Sequence, residues 1–302
     1  MTDFPTASEF TGNLELDGLL ELLRNRRAVV LSGAGCSTES GIPDYRGPDG
    51  RLRKRLPMKY QEFVRSQEAR ARYWSRSAVG WERFRSARPN TAHRALARLE
   101  RLGVVRGIIT QNVDGLHQAA GSRRVLELHG SLARVRCLQC CREVSRERLQ
   151  RRIRALNPHH GHGPVPLAPD GDAELPAGTE ENFAVPECEL CGGVLKPDVV
   201  FFGENVPKAR VERAWRLFQK GAVLLVVGSS LTVFSGRRFV LRAEEEGRPV
   251  GIVNLGPTRA DEVARVKVEG SAGQVLSALV TRLDGSGFAA EYGEARSDGV
   301  AG

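Results

Sequence analysis

The cysteines of this chain include two closely spaced pairs that can hold a metal ion. Cys137 and Cys140 form one C-x-x-C motif, and Cys188 and Cys191 form a second one further along the chain. Each motif can place two thiolates on one tetrahedral ion, so together they predict a closed, structural zinc site with no open position for substrate. A redox motif is the alternative, but paired motifs of this kind favour zinc. Cys141 lies next to the first motif and is not expected to be a ligand.

A glycine-rich loop follows a short apolar segment near the N-terminus. Residues 27–32 (RAVVLS) are typical of a buried parallel strand, and Gly33-Ala34-Gly35 follows directly. Such glycines let backbone N–H groups approach a pyrophosphate at a helix N-terminus. The third glycine of the dehydrogenase fingerprint is missing, because Thr38 occupies that position. By itself this loop is a weak indication of a dinucleotide site.

The second half of the chain adds two further strand ends with polar or small residues. Gly228-Ser229-Ser230 follows the apolar run 222–227, and Asn254 ends the run 250–253. In dinucleotide folds, a strand end in this position commonly carries an acid that bonds a ribose hydroxyl. Asn254 can do the same with a neutral side chain.

A polar segment and a histidine follow two other predicted strands. Gln111, Asn112 and Asp114 come directly after the apolar run 104–110, at the strand end where ligands bind in open α/β sheets. Their amide and carboxylate groups match an amide ligand, although such a loop can also use these groups to hold itself together. His129 ends a short strand just before the first cysteine motif. A lone histidine is more often structural, but this one lies near the expected cleft between two modules.

Strands alternating with helices predict an α/β fold, a Rossmann-like doubly wound parallel sheet with an inserted small zinc-binding module and a helical insertion. Helices are expected over 59–87, 90–102 and near 237–246, and the Pro-, Gly- and Asp-rich segment 157–187 is expected to be an inserted loop. We expect one catalytic domain over 15–283, followed by a mobile tail over 284–302. The domain is expected to have a large NAD-binding part (15–50, 90–134 and 198–283). Its small part is expected to be helical over 51–89 and to contain the zinc module over 135–197.

Composition and charge limit the possible partners. Hydrophobic residues make up 41% and charged residues 27% of the 302 positions, which argues against wholesale disorder. No apolar stretch approaches the roughly 20 residues that span a bilayer. Residues 1–14 contain no Lys or Arg, so no targeting signal is visible, and we expect a cytoplasmic location. The net charge of +9 suits an anionic ligand, but the arginines are spread along the chain, with clusters only at 51–55 and 146–154.

Taken together, these motifs resemble the sirtuins, the NAD-dependent protein lysine deacylases. The resemblance covers residues 15–283 in the family's order. It rests on 33–47, 110–117, His129-Gly130, the four cysteines, 196–207 (KPDVVFFGENVP), 228–230 and Asn254-Leu255-Gly256. Tyr45, the stretch 72–81 (RYWSRSAVGW) and the insert at 167–172 (LAPDGD) resemble a branch with mitochondrial class II members, known for lipoamide and other unusual acyl substrates.

The resemblance implies the cofactors NAD and one structural Zn²⁺, acylated-lysine proteins as partners, no membrane, and His129 as general base. It implies removal of an acyl group with release of nicotinamide and O-acyl-ADP-ribose. The residues implied for NAD are Gly33, Ala34, Gly35, Ser37, Thr38, Asp44, Tyr45, Arg46, Gln111, Asn112, Asp114, Gly228, Ser229, Ser230, Asn254, Leu255, Gly256 and Ala272. Those implied for the substrate are Tyr73, Arg76, Val200, Phe201, Gly203, Glu204, Val233 and Phe234.

Two other functions stay open from the sequence. Mono-ADP-ribosyl transfer to protein would use the same NAD site, and a zinc-stabilised nucleic-acid-binding module would use the arginine clusters. The acyl preference is open as well. Tyr73 and Arg76 lie three residues apart and can share a helix face. They resemble a Tyr-x-x-Arg signature for acyl groups that end in a carboxylate, but each can equally be an ordinary packing or surface residue.

Overall fold

The computed structural model describes residues 14–45, 57–160, 165–166, 168–176 and 178–285. Arg46, residues 51–56 of the expected helical insertion and residues 286–302 of the expected tail lie outside these ranges. The last described helix continues to Gly285, so it includes the first two residues of the predicted tail.

Helices and strands alternate along most of the described chain. The helices are α1 (Leu14–Leu23), α2 (Tyr60–Arg65), α3 (Gln67–Ser86), α4 (Thr91–Arg101), α5 (Leu116–Ala119), α6 (Arg146–Leu156), α7 (Lys208–Phe218), α8 (Phe234–Glu245) and α9 (Ala272–Gly285). The strands are β1 (Ala28–Ser32), β2 (Val105–Thr110), β3 (Val125–Glu127), β4 (Gly130–Cys137), β5 (Glu143–Ser145), β6 (Leu195–Val199), β7 (Val223–Val227), β8 (Val250–Asn254) and β9 (Val266–Glu269).

A six-stranded parallel sheet forms the centre of the larger part of the molecule. Its strand order is β3-β2-β1-β7-β8-β9, so the chain moves outward in one direction from β1 and in the other direction from β7. Every residue of β1, β7 and β8 is buried, as their uninterrupted apolar sequences predict. The predicted doubly wound parallel sheet is confirmed.

Helices cover both faces of this sheet. On one face, leucines of α1, α4 and α9 such as Leu19, Leu96 and Leu279 join the buried side chains of the strands. On the other face, Phe218 of α7 and Phe239 of α8 pack with ring centroids 5.7 Å apart. Each face therefore has its own apolar core, and the functional groups are left to the ends of the strands.

A second sheet and three helices form the smaller part of the molecule. The strand β4 pairs antiparallel with β5 and with β6. The helices α2, α3 and α6 share one hydrophobic core with this sheet. Trp74 of α3 is fully buried, and its indole N–H donates to the Leu195 carbonyl of β6 at 3.3 Å. The helical insertion and the cysteine-rich segment are thus far apart in the chain but pack as one unit.

Several arginines of the cluster at 146–154 are buried or paired with acidic side chains. The Arg146 side chain is buried, and its guanidinium lies 5.1 Å from the centre of the Trp81 ring. Arg148 pairs with Glu189 at 2.8 Å. Burial and acidic partners therefore reduce the positive charge that this segment offers to a polyanion, which weakens the nucleic-acid interpretation.

The predicted inserted loop at 157–187 has no helix and no extended strand among its described residues. It packs against α3, where the Ala173 N–H donates to the Arg76 carbonyl at 3.1 Å. This approach requires a glycine at position 80, because a Cβ there would collide with the Gly171 carbonyl and lie 2.8 Å from the Ala173 nitrogen. Gly80 therefore lets the loop lie directly on the helix.

We expect Gly80→Ala to lower the free energy of unfolding by about 1–3 kcal/mol, because the methyl group overpacks a contact between backbones. Helix propensity alone predicts the opposite sign, a gain of about 1 kcal/mol. Gly18→Ala in α1 is the matched control, since its Cβ would approach only the Val266 side chain, at 3.3 Å. Denaturant unfolding of both variants checks this, and a Gly80→Ala protein as stable as the wild type would contradict it.

Candidate active site

The loops that follow the central strands gather around one cavity of about 700 Å³. Ser32 at the end of β1 pairs with Thr110 of β2 on one side and with Val227 of β7 on the other. Because these strands end at the same level, their following loops emerge side by side at the point where the strand order reverses. This is the place where open α/β sheets bind ligands.

The cavity brings together most of the residues selected from the sequence. Those implied for NAD that line it are Gly33, Ala34, Gly35, Ser37, Thr38, Asp44, Tyr45, Gln111, Asn112, Asp114, Gly228, Ser229, Ser230, Asn254, Leu255 and Ala272. Those implied for the substrate or for catalysis that line it are Tyr73, His129, Val200, Phe201, Gly203, Glu204, Val233 and Phe234. Among the described residues, Gly256 and Arg76 do not line this cavity, and Arg46 lies outside the described ranges.

The glycine loop contacts the loop after β7 more closely than any side chain would allow. A Cβ at position 33 would lie 2.8 Å from the Gly228 carbonyl oxygen, and one at position 35 would lie 3.0 Å from it. The Gly33 N–H donates to the Val227 carbonyl at 3.0 Å, and the Gly35 N–H donates to the Gly228 carbonyl at 2.9 Å. These glycines are therefore required by the contact between the two loops.

This geometry corrects the expected phosphate-binding pattern. The loop continues into two short 3₁₀ turns, Ala34–Cys36 and Thr38–Ser40, and not into an α-helix. The N–H groups of Gly33 and Gly35 are already bonded within the protein. Ala34 and Thr38, the first residues of the two turns, line the cavity, and their N–H groups make no hydrogen bond to another loop, so they can donate to a ligand.

A hydrogen-bonded chain joins the glycine loop to the polar segment after β2. The Asn112 amide donates to the Gly33 carbonyl and to Ser37 Oγ, each at 3.0 Å. Ser37 Oγ in turn donates to Asp114 Oδ2 at 2.7 Å, and the Leu116 N–H donates to Asp114 Oδ1 at 2.9 Å. Burial raises the pKa of Asp114, and these hydrogen bonds oppose that shift. The segment therefore holds itself in place and also forms part of the cavity wall.

His129 is held with one ring nitrogen bonded to the backbone. Its Nδ1 lies 2.9 Å from the Gln111 carbonyl oxygen, which can only accept, so Nδ1 carries the proton. The lone pair of the neutral ring is consequently on Nε2. Burial lowers the pKa of His129 to about 4, and the positive charges of Arg210 and Arg238 act in the same direction. The imidazole is therefore neutral near pH 7 and can accept a proton at Nε2.

Ser235 is a residue of this site that the sequence reasoning missed. Its hydroxyl lies 2.7 Å from His129 Nε2, and with Nδ1 protonated it is the hydroxyl that donates. Ser235 also lines the cavity. No local pattern marks it, because it is 106 positions from His129 and follows the segment Val233-Phe234 that the resemblance assigned to substrate.

Another part of the cavity wall comes from the segment after β6. The Val200 N–H donates to the His129 carbonyl at 2.8 Å, which fixes this segment beside the histidine. Glu204 Oε2 accepts from the Phe201 N–H at 2.8 Å and pairs with the buried Lys196 ammonium at 2.9 Å. The ion pair and the hydrogen bonds together give the segment a defined shape.

The two residues considered for acyl recognition lie in different places. Tyr73 is buried and lines the cavity, with its ring centroid 5.2 Å from that of Phe201. Arg76 does not line the cavity within the described structure, and its carbonyl accepts the hydrogen bond from Ala173. This placement favours a role for Arg76 in supporting the inserted loop. It does not favour direct contact of Arg76 with an acyl group.

The four predicted metal ligands form one cluster. The Sγ atoms of Cys137 and Cys191 are 3.6 Å apart, those of Cys140 and Cys188 are 3.7 Å apart, and all four lie within 4.8 Å of one another. Tetrahedral zinc with bonds of about 2.3 Å places its sulfur ligands about 3.8 Å apart. The four cysteines are free thiols at distances that fit one zinc ion, and none of them lines the cavity.

Residues 33–235 match the model of the Sir2 family. The chain belongs to the Sir2 family. NAD-dependent protein deacetylase 1 of Streptomyces coelicolor is 52% identical to this sirtuin over 281 residues, which are 92% of this chain and 93% of that protein. NAD-dependent protein deacylase Sirt4 of Drosophila melanogaster is 48% identical over 261 residues, which are 85% and 84% of the two chains.

Solved structures agree with this sirtuin in fold. The structure described as "Sir2-p53 peptide-NAD+" matches with a TM-score of 0.70 at 31% identity, covering 90% of this chain and 98% of that one. Within the described ranges, no helix has both the length and the apolar character to cross a membrane.

We expect Cys188→Ser to lower both the zinc content and the soluble yield, because a structural zinc site couples metal binding to folding. Cys141→Ser is the matched control, since Cys141 is exposed and is not part of the four-cysteine cluster. Metal analysis of the purified proteins checks this. One zinc per chain in Cys188→Ser protein would refute the ligand assignment.

We expect Ser235→Ala to raise the pKa of His129 by about 0.5–1 unit. The Ser235 hydroxyl stabilises the neutral ring by donating to Nε2, and one hydrogen bond contributes about 1 kcal/mol. An NMR titration of the histidine ring resonances measures this shift. Ser86→Ala, an exposed serine on α3, should leave the titration unchanged. An unchanged or lower pKa in Ser235→Ala would contradict the assigned hydrogen bond.

Proposed function

We propose that this protein removes acyl groups from lysine side chains of proteins with NAD as co-substrate, releasing nicotinamide and O-acyl-ADP-ribose. The observation that carries the proposal is His129, a neutral histidine with its Nε2 lone pair turned to the cavity. It stands beside the amide and carboxylate groups of Gln111, Asn112 and Asp114. Relatives at about half identity across the chain are named deacetylases and deacylases, which favours this reaction over mono-ADP-ribosyl transfer.

The large cavity offers a separate group of residues for each part of NAD. We assign the diphosphate to the N–H groups of Ala34 and Thr38, which begin the two short turns beside the cavity. We assign the nicotinamide and its ribose to Asn112 and Asp114, and the adenosine half to the loops after β7 and β8, where Asn254 lies. When bound, NAD supplies a ribose carbon that loses nicotinamide and takes the acyl oxygen of the substrate.

His129 is assigned the proton transfer. Its Nδ1–H donates to the Gln111 carbonyl, so the ring cannot turn and the lone pair stays on Nε2. A pKa of about 4 keeps this nitrogen unprotonated at neutral pH, so it can accept a proton from a ribose hydroxyl. The Ser235 hydroxyl occupies the same lone pair and has to rotate away before His129 acts.

The acyl-lysine peptide is assigned to the cleft between the segments Val200–Glu204 and Val233–Phe234. The backbone at Val233 is extended, and the Val233 and Phe234 side chains are exposed beside the cavity. An extended peptide between such segments can pair with their backbones as an added strand. Backbone pairing provides affinity with little dependence on the peptide sequence, which suits an enzyme that acts on many lysines.

The chain's own zinc takes no part in this chemistry. Its four cysteine ligands close the coordination sphere, and they lie outside the cavity. The zinc ion would hold the ends of β4 and of the inserted loop together, and so stabilise the smaller part of the molecule that covers the substrate cleft.

We expect His129→Ala to lower deacylation by about 10²–10⁴-fold, the range for loss of a general acid–base group. NAD binding should change little, because His129 is assigned to a proton and not to cofactor affinity. The deacylation rate is measured by release of nicotinamide from NAD and of free lysine from an acetyl-lysine peptide. The NAD affinity is measured by calorimetric titration.

The matched control is His159→Ala, because His159 is exposed and does not line the cavity, and this variant should keep wild-type turnover. Wild-type protein that releases no nicotinamide in the presence of acylated peptides would refute the proposed function.

A further inference from the structure

A second cluster of metal-ligating side chains lies under the glycine loop. Cys36, His93 and His117 come from three separate segments, and each is 1% exposed or less. One ligand atom from each lies within 4.8 Å of the others. The proposed reaction uses none of them, and none lines the cavity.

Each of the two histidines has one ring nitrogen with a close hydrogen-bond partner and one without. His117 Nε2 lies 2.8 Å from Ser32 Oγ, whereas its Nδ1 is buried with no hydrogen-bond partner among the described residues. His93 Nδ1 lies 2.9 Å from Asn90 Oδ1 and 3.3 Å from the Asn90 backbone nitrogen, so both of its partners belong to the N-terminal cap of α4. The nearest partner of His93 Nε2 is Ser37 Oγ at 3.5 Å, which is a long contact. A buried ring nitrogen without a partner costs free energy unless a ligand satisfies it.

The donor set is typical of soft or borderline cations. A thiolate and two neutral imidazoles are ligands of zinc and of copper, and carboxylate-seeking ions such as Mg²⁺ avoid them. The two rings are 4.8 Å apart between centroids, so their nitrogens can be directed at one point. Both histidines are neutral near pH 7, because burial lowers the pKa of His93 to about 4 and that of His117 to about 3.

We propose that Cys36, His93 and His117 form a second metal site, which takes Zn²⁺ or a similarly thiophilic cation and inhibits the enzyme when it is occupied. Zinc holds its ligand atoms about 3.3–3.8 Å apart, so the side chains have to move together by up to about 1 Å. The cation also has to displace the proton of the buried Cys36 thiol. This site is therefore weaker than the four-cysteine site, as a reversible inhibitory site requires.

The site is coupled to the cavity through the loop that carries Cys36. Cys36 lies between Gly35 and Ser37, and a cation on His93 Nε2 removes the contact of that nitrogen with Ser37. Ser37 Oγ in turn bonds Asn112 and Asp114 in the cavity wall. Movement of Cys36 toward the ion therefore disturbs the groups assigned to NAD. This inhibitory coupling rests on the proposed function, whereas binding of the cation does not.

Equilibrium dialysis with Zn²⁺ tests the site directly. Wild-type protein that already holds its structural zinc should take up a second equivalent, and saturating NAD should weaken that uptake at least 5-fold, because coupling between sites is reciprocal. Cys36→Ala and His117→Gln should each lose the second equivalent and keep the first. Cys141→Ala, which removes an exposed thiol outside both clusters, should bind both equivalents.

Two further measurements distinguish loss of the second metal site from loss of the fold. Thermal unfolding shows whether Cys36→Ala and His117→Gln are folded. Co²⁺ bound at the second site of wild-type protein should show a thiolate charge-transfer band that is absent from Cys36→Ala. A wild-type protein that binds no second Zn²⁺, or a folded Cys36→Ala that still binds it, overturns the site. If the wild-type protein binds Zn²⁺ at this site but shows no deacylase activity, the metal site is supported and the proposed function is refuted.

Discussion

The contact between the loops after β1 and β7 is the constraint on which the active site depends. Gly33 approaches Gly228 so closely that no Cβ fits there, a Cβ at Gly35 would be 3.0 Å from the Gly228 backbone, and the N–H groups of both bond across the contact. This contact lies at the point where the strand order reverses, so it forms the floor of the crevice. Asn112 bonds the Gly33 carbonyl and so fixes the third loop to the same floor. One backbone contact thus sets the relative positions of the groups assigned to both ends of NAD.

The fold sets both the tautomer and the pKa of His129. A backbone carbonyl on one side and a serine hydroxyl on the other fix the tautomer of His129. Burial keeps the ring neutral, so Nε2 is unprotonated at physiological pH, but burial also makes this nitrogen a weaker base. The carbonyl belongs to Gln111 and the hydroxyl to Ser235, 18 and 106 positions from His129, so the reactivity of His129 depends on separate segments of the larger part of the molecule.

The smaller part of the molecule is held together by packing and by metal ligands at opposite ends. At one end the four cysteines bring the end of β4 next to the segment that follows the inserted loop. At the other end, Trp74 and the buried Arg146 fasten α3 and α6 to the three-stranded sheet. Gly80 then allows the inserted loop to lie on α3, beside the cavity wall formed by Tyr73. The shape of the substrate side therefore depends on contacts that do not involve any functional group.

The sequence by itself determined the features that are local in the chain. Largely apolar runs predicted β1, β2, β7 and β8, because strands buried on both faces need apolar residues at most positions. The cysteine spacing predicted the metal cluster, since two thiolates three residues apart can reach one ion. The edge strand β9 and the arginine-rich helix α6 were missed, because their alternating or charged sequences resemble exposed segments.

Only the tertiary structure decided which groups meet. In the structure, the N–H groups of Gly33 and Gly35 bond to Val227 and Gly228, and the Ser235 hydroxyl lies on His129 Nε2. Of the two α3 residues considered for acyl recognition, Tyr73 lines the cavity and Arg76 does not. The physical reason is the same in each case. Hydrogen bonds and steric contacts act over a few ångströms, and residues that lie that close in the fold can be a hundred positions apart in the chain.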